Sequence, residues 1–529
     1  VSRSITTTRA FTQPATSSTR ILWACIIAGI LFVLDSTLLS WIGPAIARDL
    51  HANPASVSIL SSLFIVTLAA AILGAGALAD RYGRKRLLLI GVTAETLLAT
   101  LAVFTPTVGA LVFIRALAGI AGAFVSPLTI AIIRVNLPER EHARSMGLYL
   151  GILNLSSGLS AIVIQLINQT FGWRSTFLLI ILMGLLAWFM LSGIPESSAT
   201  EQKPIDWRGI ILAGIGLVGL IYGLNLAATP RGFSNLEADG FILLGFVTLG
   251  LLIWHESTCD HPVLSLAFLR LPAVQMGCLI ALIVLFAQGC AIFQLTLYLQ
   301  TYLERSPLQT ALYLLPFAFA SYLVCLFMDQ LVRRFNRKVL LIGSLLIMLA
   351  GIAGLALTLG PDSTFWHFLL PLICIGGGVV IANTLRVQMI MDAASVELAG
   401  EASALSNIVA DIGGALSIVL STLLVSLFAA QAYTRHLLQL GVLRAHIDSS
   451  LTLLTKDLQP TFANLGDQYG ISEFQAKAIV GIYEQAYLSS VVLVFWLSAL
   501  ALLVLLLLVA FLFYPHKHKK RASCKSSPL

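Results

Sequence analysis

Charge is what this sequence lacks most. Only 11% of its 529 residues are Asp, Glu, Lys or Arg, and 58% are hydrophobic. A soluble domain carries about a quarter of its residues as charges, so a soluble fold is excluded and an integral membrane protein remains. No G-x-x-x-x-G-K-[ST] stretch occurs, which removes the phosphate-cradling loop through which ATP would drive the protein directly. No H-E-x-x-H occurs, and no histidine falls in the middle of a long apolar run; a histidine-dependent intramembrane hydrolase has little to work with. The seven cysteines (Cys25, Cys259, Cys278, Cys290, Cys325, Cys374 and Cys524) contain no C-x-x-C pair and lie mostly in apolar runs. They read as small core residues rather than as a disulfide frame or metal site. The net charge of +7 is spread over alternate loops and the tail, which is not the one-sided footprint of a nucleic-acid-binding protein. Neither a metal, an organic cofactor nor a nucleic-acid partner is expected.

Apolar runs are what the chain has in abundance. A membrane helix needs about 20 such residues, and fourteen stretches qualify: 21–43, 55–79, 86–106, 109–133, 145–168, 175–194, 208–228, 239–255, 274–301, 308–330, 338–359, 366–391, 402–428 and 486–514. The fold class expected is therefore all-α and membrane-integral, with 14 transmembrane helices. Basic residues crowd alternate loops: Arg81/Arg84/Lys85/Arg86, Arg134/Arg140/Arg144, Arg333/Arg334/Arg337/Lys338 and Lys517/Lys519/Lys520/Arg521. The intervening loops carry single residues such as Arg48, Arg231 and Arg305, so the crowded loops and both termini are expected to be cytoplasmic. Residues 1–20 then form a polar tail rather than a cleaved leader, 195–207 a cytoplasmic linker, and 515–529 a basic tail attracted to anionic lipids. Residues 429–485 form a long external loop. Helical spacing around Leu437–Leu443 and Phe474–Ile482 predicts short amphipathic caps there, and His436 and His446 lack the neighbours a metal site requires.

The most informative stretch is Gly76-Ala-Leu-Ala-Asp-Arg-Tyr-Gly-Arg-Lys-Arg86, between the second and third spans. Sidedness alone explains its arginines, but not Gly76, Asp80 and Gly83 at that spacing. It resembles the G-x-L-a-D-r-x-G-r-k loop of the major facilitator superfamily, and Gly76, Leu78, Asp80, Arg81, Gly83, Arg84 and Lys85 match. Arg81-Tyr-Gly-Arg-Lys-Arg-Leu-Leu also returns as Arg334-Phe-Asn-Arg-Lys-Val-Leu-Leu, as in a transporter built of two repeated six-helix halves. The halves are then 21–194 and 274–514, with 208–255 as an inserted pair. In the second copy Arg333 stands where the first has Asp80, so the two loops are not electrostatically equivalent.

A charge inside an apolar span is expensive and has a functional reason by default. Asp35 lies in Leu34-Asp-Ser-Thr-Leu-Leu-Ser-Trp-Ile-Gly-Pro44, which resembles the helix-1 signature of the superfamily's fourteen-helix drug:proton antiporter branch. Leu34, Asp35, Thr37 and Pro44 match it; Ser40, Ile42 and Gly43 depart. The alternative is a carboxylate held by hydroxyls to fix helix packing. Arg115, in Leu111-Val-Phe-Ile-Arg-Ala-Leu-Ala-Gly-Ile-Ala-Gly122, resembles the family's helix-4 arginine motif, with Ala118 in place of its glutamine. Such an arginine must meet an anion, a water-filled cavity or both. Asp35 lies eight residues from the outer end of its span and Arg115 six, or ~12 and ~9 Å, and the family architecture places these helices side by side, so an ion pair is geometrically allowed. Asp411, midway along 402–428, is a second proton or cation site, or equally a structural acid. The branch's Gly-Pro motif in helix 5 is missing, since the aligned segment reads Ser160-Ala-Ile-Val-Ile-Gln165. Gln165 offers itself to substrate or to a helix–helix hydrogen bond. Thr37, Gln294 and Asn407 complete the substrate-pathway candidates.

The resemblance implies a secondary transporter in a bacterial-type cell membrane that works by alternating access, functional as a monomer, with protons and a small molecule as partners. It further implies that the loop Gly76–Lys85 acts as a conformational switch, that Asp35, Arg115 and Asp411 couple protons, and that the proton gradient supplies the energy. Export of amphipathic drugs is the direction implied. Uptake of another solute, given the missing helix-5 motif, and a transporter-like sensor that moves nothing are the alternatives.

Overall fold

The protein is described by a computed structural model over residues 18–50, 54–197, 206–227, 236–259, 266–394, 399–439 and 473–512. Most of the two polar tails, the centre of 195–207, Arg231, and residues 440–472 with His446 lie outside the described residues.

In hydrocarbon each backbone N–H and C=O must find its partner within the chain, which a helix achieves alone. The described residues accordingly form helices and no strand. In the first half these are α1 (Ser18–Asp49), α2 (Pro54–Tyr82), α3 (Arg84–Val103), α4 (Val108–Gly122), α5 (Ser126–Asn136), α6 (His142–Phe171) and α7 (Trp173–Ser192). The inserted pair is α8 (Trp207–Ala227) and α9 (Leu236–Thr258). A single turn, α10 (Leu266–Leu269), leads to the second half: α11 (Pro272–Leu297), α12 (Pro307–Leu326), α13 (Met328–Arg334), α14 (Arg337–Thr358), α15 (Phe365–Ala393), α16 (Ala399–Gln439) and α17 (Glu473–Leu512). Thirteen helical stretches are long and apolar enough to span, and the bent α2 makes fourteen when its two arms, at 48° between Leu63–Ile72 and Gly74–Tyr82, count as one span.

Several boundaries differ from the sequence expectation, each for a local reason. The fourth span breaks into α4 and α5 because Pro127, at the start of α5, has no N–H for a continuous ladder. The tenth breaks at Phe327 into α12 and α13. α1 runs on through Gly43-Pro44 to Asp49, so Asp35 is ~21 Å from the helix end, not ~12 Å. The expected amphipathic caps around Leu437 and Phe474–Ile482 are not separate helices within the described residues. They are extensions of α16 and α17, which at 41 and 40 residues reach ~60 Å, about twice the hydrocarbon thickness. Tyr433 and Tyr483 brace the two extensions edge to face at 5.8 Å.

The halves meet where α6 packs on α12, and where α2 and α5 pack on α16. α8 and α9 pack on each other, and α8 lies against α2 and α16 at the flank of this seam. Large apolar side chains such as Phe189, Trp188, Leu357 and Phe246 face outward, as lipid-facing positions should. Between α2 and α3 the chain turns on one residue, Gly83, at φ 108, a conformation glycine adopts without penalty.

Candidate functional site

The deepest ion pair among the described residues joins the first and fourth spans. Thr107 caps α4 by accepting from the Ala110 N–H at 3.3 Å, which fixes the start of the helix carrying Arg115 two turns on. Arg115 donates through Nη1 to Asp35 Oδ1 at 2.6 Å and through Nη2 to the Asp35 carbonyl at 3.0 Å. Its guanidinium lies 4.4 Å from the Phe64 ring centre on α2, a favourable face for a cation. Both charged side chains are 2–3% exposed. Gly119, one turn further along α4, allows this approach: a Cβ there would collide with the Phe64 carbonyl and the Thr67 hydroxyl of α2.

A third ionisable side chain lies within reach of this pair, and sequence reasoning missed it. Glu95 on α3 is 1% exposed, lies within electrostatic reach of Asp35 and Arg115, and has no hydrogen-bond partner at either carboxylate oxygen. The signal was available: Glu95 is an acid midway along the apolar run 86–106, but no family motif surrounds it. Arg386 on α15 was missed in the same way. It is 4% exposed and donates to Asn383 Oδ1 at 2.6 Å and to both the carbonyl and the hydroxyl of Ser406 at 2.8 Å. Asp411, half-buried on α16, lies within its electrostatic reach, so each half holds an acid within reach of a buried arginine.

The polar candidates are placed unequally. Thr37 lies half a turn from Asp35, bonded to the Val33 carbonyl at 2.8 Å and to the Ser160 hydroxyl at 3.3 Å. Gln165 donates to the Trp41 carbonyl at 2.9 Å, a helix–helix bond from α6 to α1. Gln294 donates to the Ser421 hydroxyl at 2.9 Å, tying α11 to α16, while its Oε1 is buried without a partner. Asn407 donates to the Ser403 carbonyl of its own helix at 2.9 Å. As oriented here, the amide nitrogens of Gln165, Gln294 and Asn407 bond within the protein.

At the end of the bundle that carries the basic loops, Arg84 donates Nε and Nη2 to Asp80 Oδ1 at 2.9 and 2.7 Å. Gly76 is buried in α2 and Arg81 lies over the Tyr82 ring. Lys85 Nζ donates to the Ser192 and Ile194 carbonyls at 2.8 and 2.6 Å, and the Glu196 carboxylate accepts from the backbone of Lys85 and Arg86. The second loop does carry an acid, set four residues before Arg333: Asp329 accepts from Arg333 at 3.0 Å. The link across the halves is Asp392 on α15, which takes Arg134 of α5 at 3.0 Å and Arg337 of α14 at 2.9 Å. Ser403 Oγ also reaches across to the Pro127 carbonyl at 2.7 Å.

Several polar clusters away from this site are joints. Ser306-Pro-Leu-Gln309 is a capping box that starts α12, satisfying orphan N–H groups. Trp173 and Arg174 both donate to Asp49, at 3.0 and 2.6 Å, tying α7 to the end of α1. Asp206 caps α8 at the Gly209 N–H and accepts from His255 Nε2 at 2.8 Å, with the Cys259 sulfur in the same group.

Two helical halves meeting along a seam, buried charges at mid-depth and basic loops closing one end define a multi-pass membrane transporter. The sequence profile described as Major Facilitator Superfamily matches residues 25–418, and the chain belongs to that family. It is similar to the "Tetracenomycin C resistance and export protein" of Streptomyces glaucescens, 28% identical over 411 residues and 76% of each chain. It is also similar to the "Multidrug efflux pump LfrA" of Mycolicibacterium smegmatis, 26% identical over 73% of this chain and 76% of the relative. Among solved structures, the human organic anion transporter MFSD10 aligns with a TM-score of 0.55 at 14% identity, over 77% of this chain and 93% of that one. The proton:xylose symporter XylE aligns at 0.54 and 15% identity, over 76% and 87%. At these identities the structures speak for the fold alone.

Proposed function

We propose that the protein exports amphipathic small molecules from the cell in exchange for protons, by alternating access of a cavity between its halves. The observation that carries the reading is the buried Asp35–Arg115 pair in a chain whose relatives are described as resistance and export proteins. A carboxylate in such a site stabilises one helix arrangement when ionised and releases it when protonated, which is what coupling requires. The basic loops face the cytoplasm of a bacterial cell, both termini lie inside, and the protein acts as a monomer driven by the proton gradient rather than by a cofactor. The contacts across the halves through Asp392 and Ser403 support a state closed toward the cytoplasm.

The missing Gly-Pro bend in the fifth span, where Ser160 and Gln165 instead bond to α1, favours a second reading with the opposite direction of transport. Vesicles containing only this protein separate the two. A proton gradient directed inward across the native orientation, with the acid outside, drives ethidium outward in an exporter and inward in a symporter, and drives no ethidium flux in a non-transporting sensor. Asp35→Asn abolishes the uphill component while leaving ethidium binding. Undiminished gradient-driven flux in Asp35→Asn removes the coupling role from this residue.

A further inference from the structure

Glu95 is the one buried carboxylate among the described residues with both oxygens unpartnered. No donor lies within hydrogen-bonding distance of either oxygen. A Cβ on Gly122 of α4 would come within 3.1 Å of Oε1 and 3.2 Å of the Phe32 ring, so the side chain lies between bare helix backbone and an aromatic face. The charged groups acting on it are Asp35 from α1 and Arg115 from α4. Meanwhile Arg115 Nε is also buried with its N–H unused. The site thus contains two carboxylates, one guanidinium already committed to Asp35, and one spare donor on that guanidinium. A second net negative charge at this depth would be uncompensated and costly, and a single proton on the acceptor-rich side balances it.

We propose that Glu95 is a second proton-binding residue, sharing one proton and one guanidinium with Asp35. This deepens the proton-driven reading above and rests on it for its role in transport. In the arrangement seen, the guanidinium fork holds ionised Asp35 and the proton resides on Glu95. When the halves rearrange, Arg115 turns toward Glu95 through its free Nε–H. The Glu95 O–H bond breaks, the proton leaves, and Asp35, released by the guanidinium, binds one in its place. Two carboxylates, one arginine and one proton keep the site neutral in both arrangements, so the helices can move without exposing net charge to a dry interior.

The test uses the full chain in lipid nanodiscs without substrate. Infrared difference spectra across a pH step should contain a protonated-carboxyl C=O band that Glu95→Gln removes and Glu95→Asp shifts. A spectrum that neither variant changes overturns the proposal. If Glu95→Gln fails to fold, the Glu95→Asp shift decides alone. In vesicles, Glu95→Gln should lose gradient-driven ethidium transport while binding the dye as wild type does, a split that a packing role would not produce; retained transport also overturns the proposal. Failure of the transport reading looks different: wild-type vesicles then move no ethidium, while the infrared band still answers to Glu95.

Discussion

Arginine can sit inside a membrane helix only if its surroundings replace the water it gave up. Arg115 obtains a carboxylate, a backbone carbonyl and an aromatic face from two neighbouring helices. Lysine keeps the charge but has neither the planar fork nor the same affinity for a ring. Arg115→Lys should therefore fold, lose about 1–2 kcal/mol of stability and lose most gradient-driven transport. Arg115→Ala, which leaves a buried acid uncompensated, should lose about 3–5 kcal/mol. Thermal unfolding in nanodiscs and vesicle flux check both, and an Arg115→Lys protein with wild-type flux would show that the fork does not matter. Asp35 and Arg115 were legible because charge is rare in apolar runs and because each stands in a family-like motif. Glu95 and Arg386 are just as rare, but without a motif nothing singled them out. The rotations that turn Gln165 and Gln294 onto a carbonyl or hydroxyl of another helix depend on which neighbour each helix meets, and the sequence does not state that.

Helices in this chain are placed by small residues as much as by large ones. Gly119 lets α4 lie against the backbone of α2, which brings Arg115 over Phe64. A methyl group there must push the helices apart, and such overpacking costs about 1–3 kcal/mol. Gly109, on the same helix, has open space around its Cβ position. Gly119→Ala should reduce both melting temperature and flux while Gly109→Ala changes neither, measured side by side in one membrane preparation; equal effects of the two would sink the close-approach argument. Fourteen spans were legible because hydrocarbon length and hydrophobicity fix their number. Their ends were not. A helix that leaves the membrane can continue in water, as α16 and α17 do beyond the bilayer, and a proline can either break a span, as Pro127 does, or be carried through one, as Pro44 is in α1.

At the scale of the whole molecule, the question is what holds one end of the seam shut. Orientation comes first: in a background cleared of native cysteine, Ser450→Cys should react with an impermeant thiol reagent in intact cells and Ser526→Cys should not, and the reverse pattern would invert the assignment of sides. The closure itself rests on Asp392, which receives one arginine from each half. All three side chains are partly exposed, at 38% for Asp392, 21% for Arg134 and 47% for Arg337. Water therefore screens the pairs, and the network contributes about 1 kcal/mol rather than several. That is too little to hold the fold together, and enough to shift a two-state balance about fivefold. Ser403, bonded across the seam to the Pro127 carbonyl and fully buried, reports on that balance because a thiol placed there reacts only when the end opens. Ser403→Cys should label about five times faster in an Asp392→Asn background than in an otherwise native one, with unchanged protein level and melting temperature. High salt should raise the rate of the native-background protein toward the same value, since partly exposed pairs weaken as screening increases. Equal labelling in both backgrounds would mean that packing of α5 against α16, and not charge, keeps the end closed.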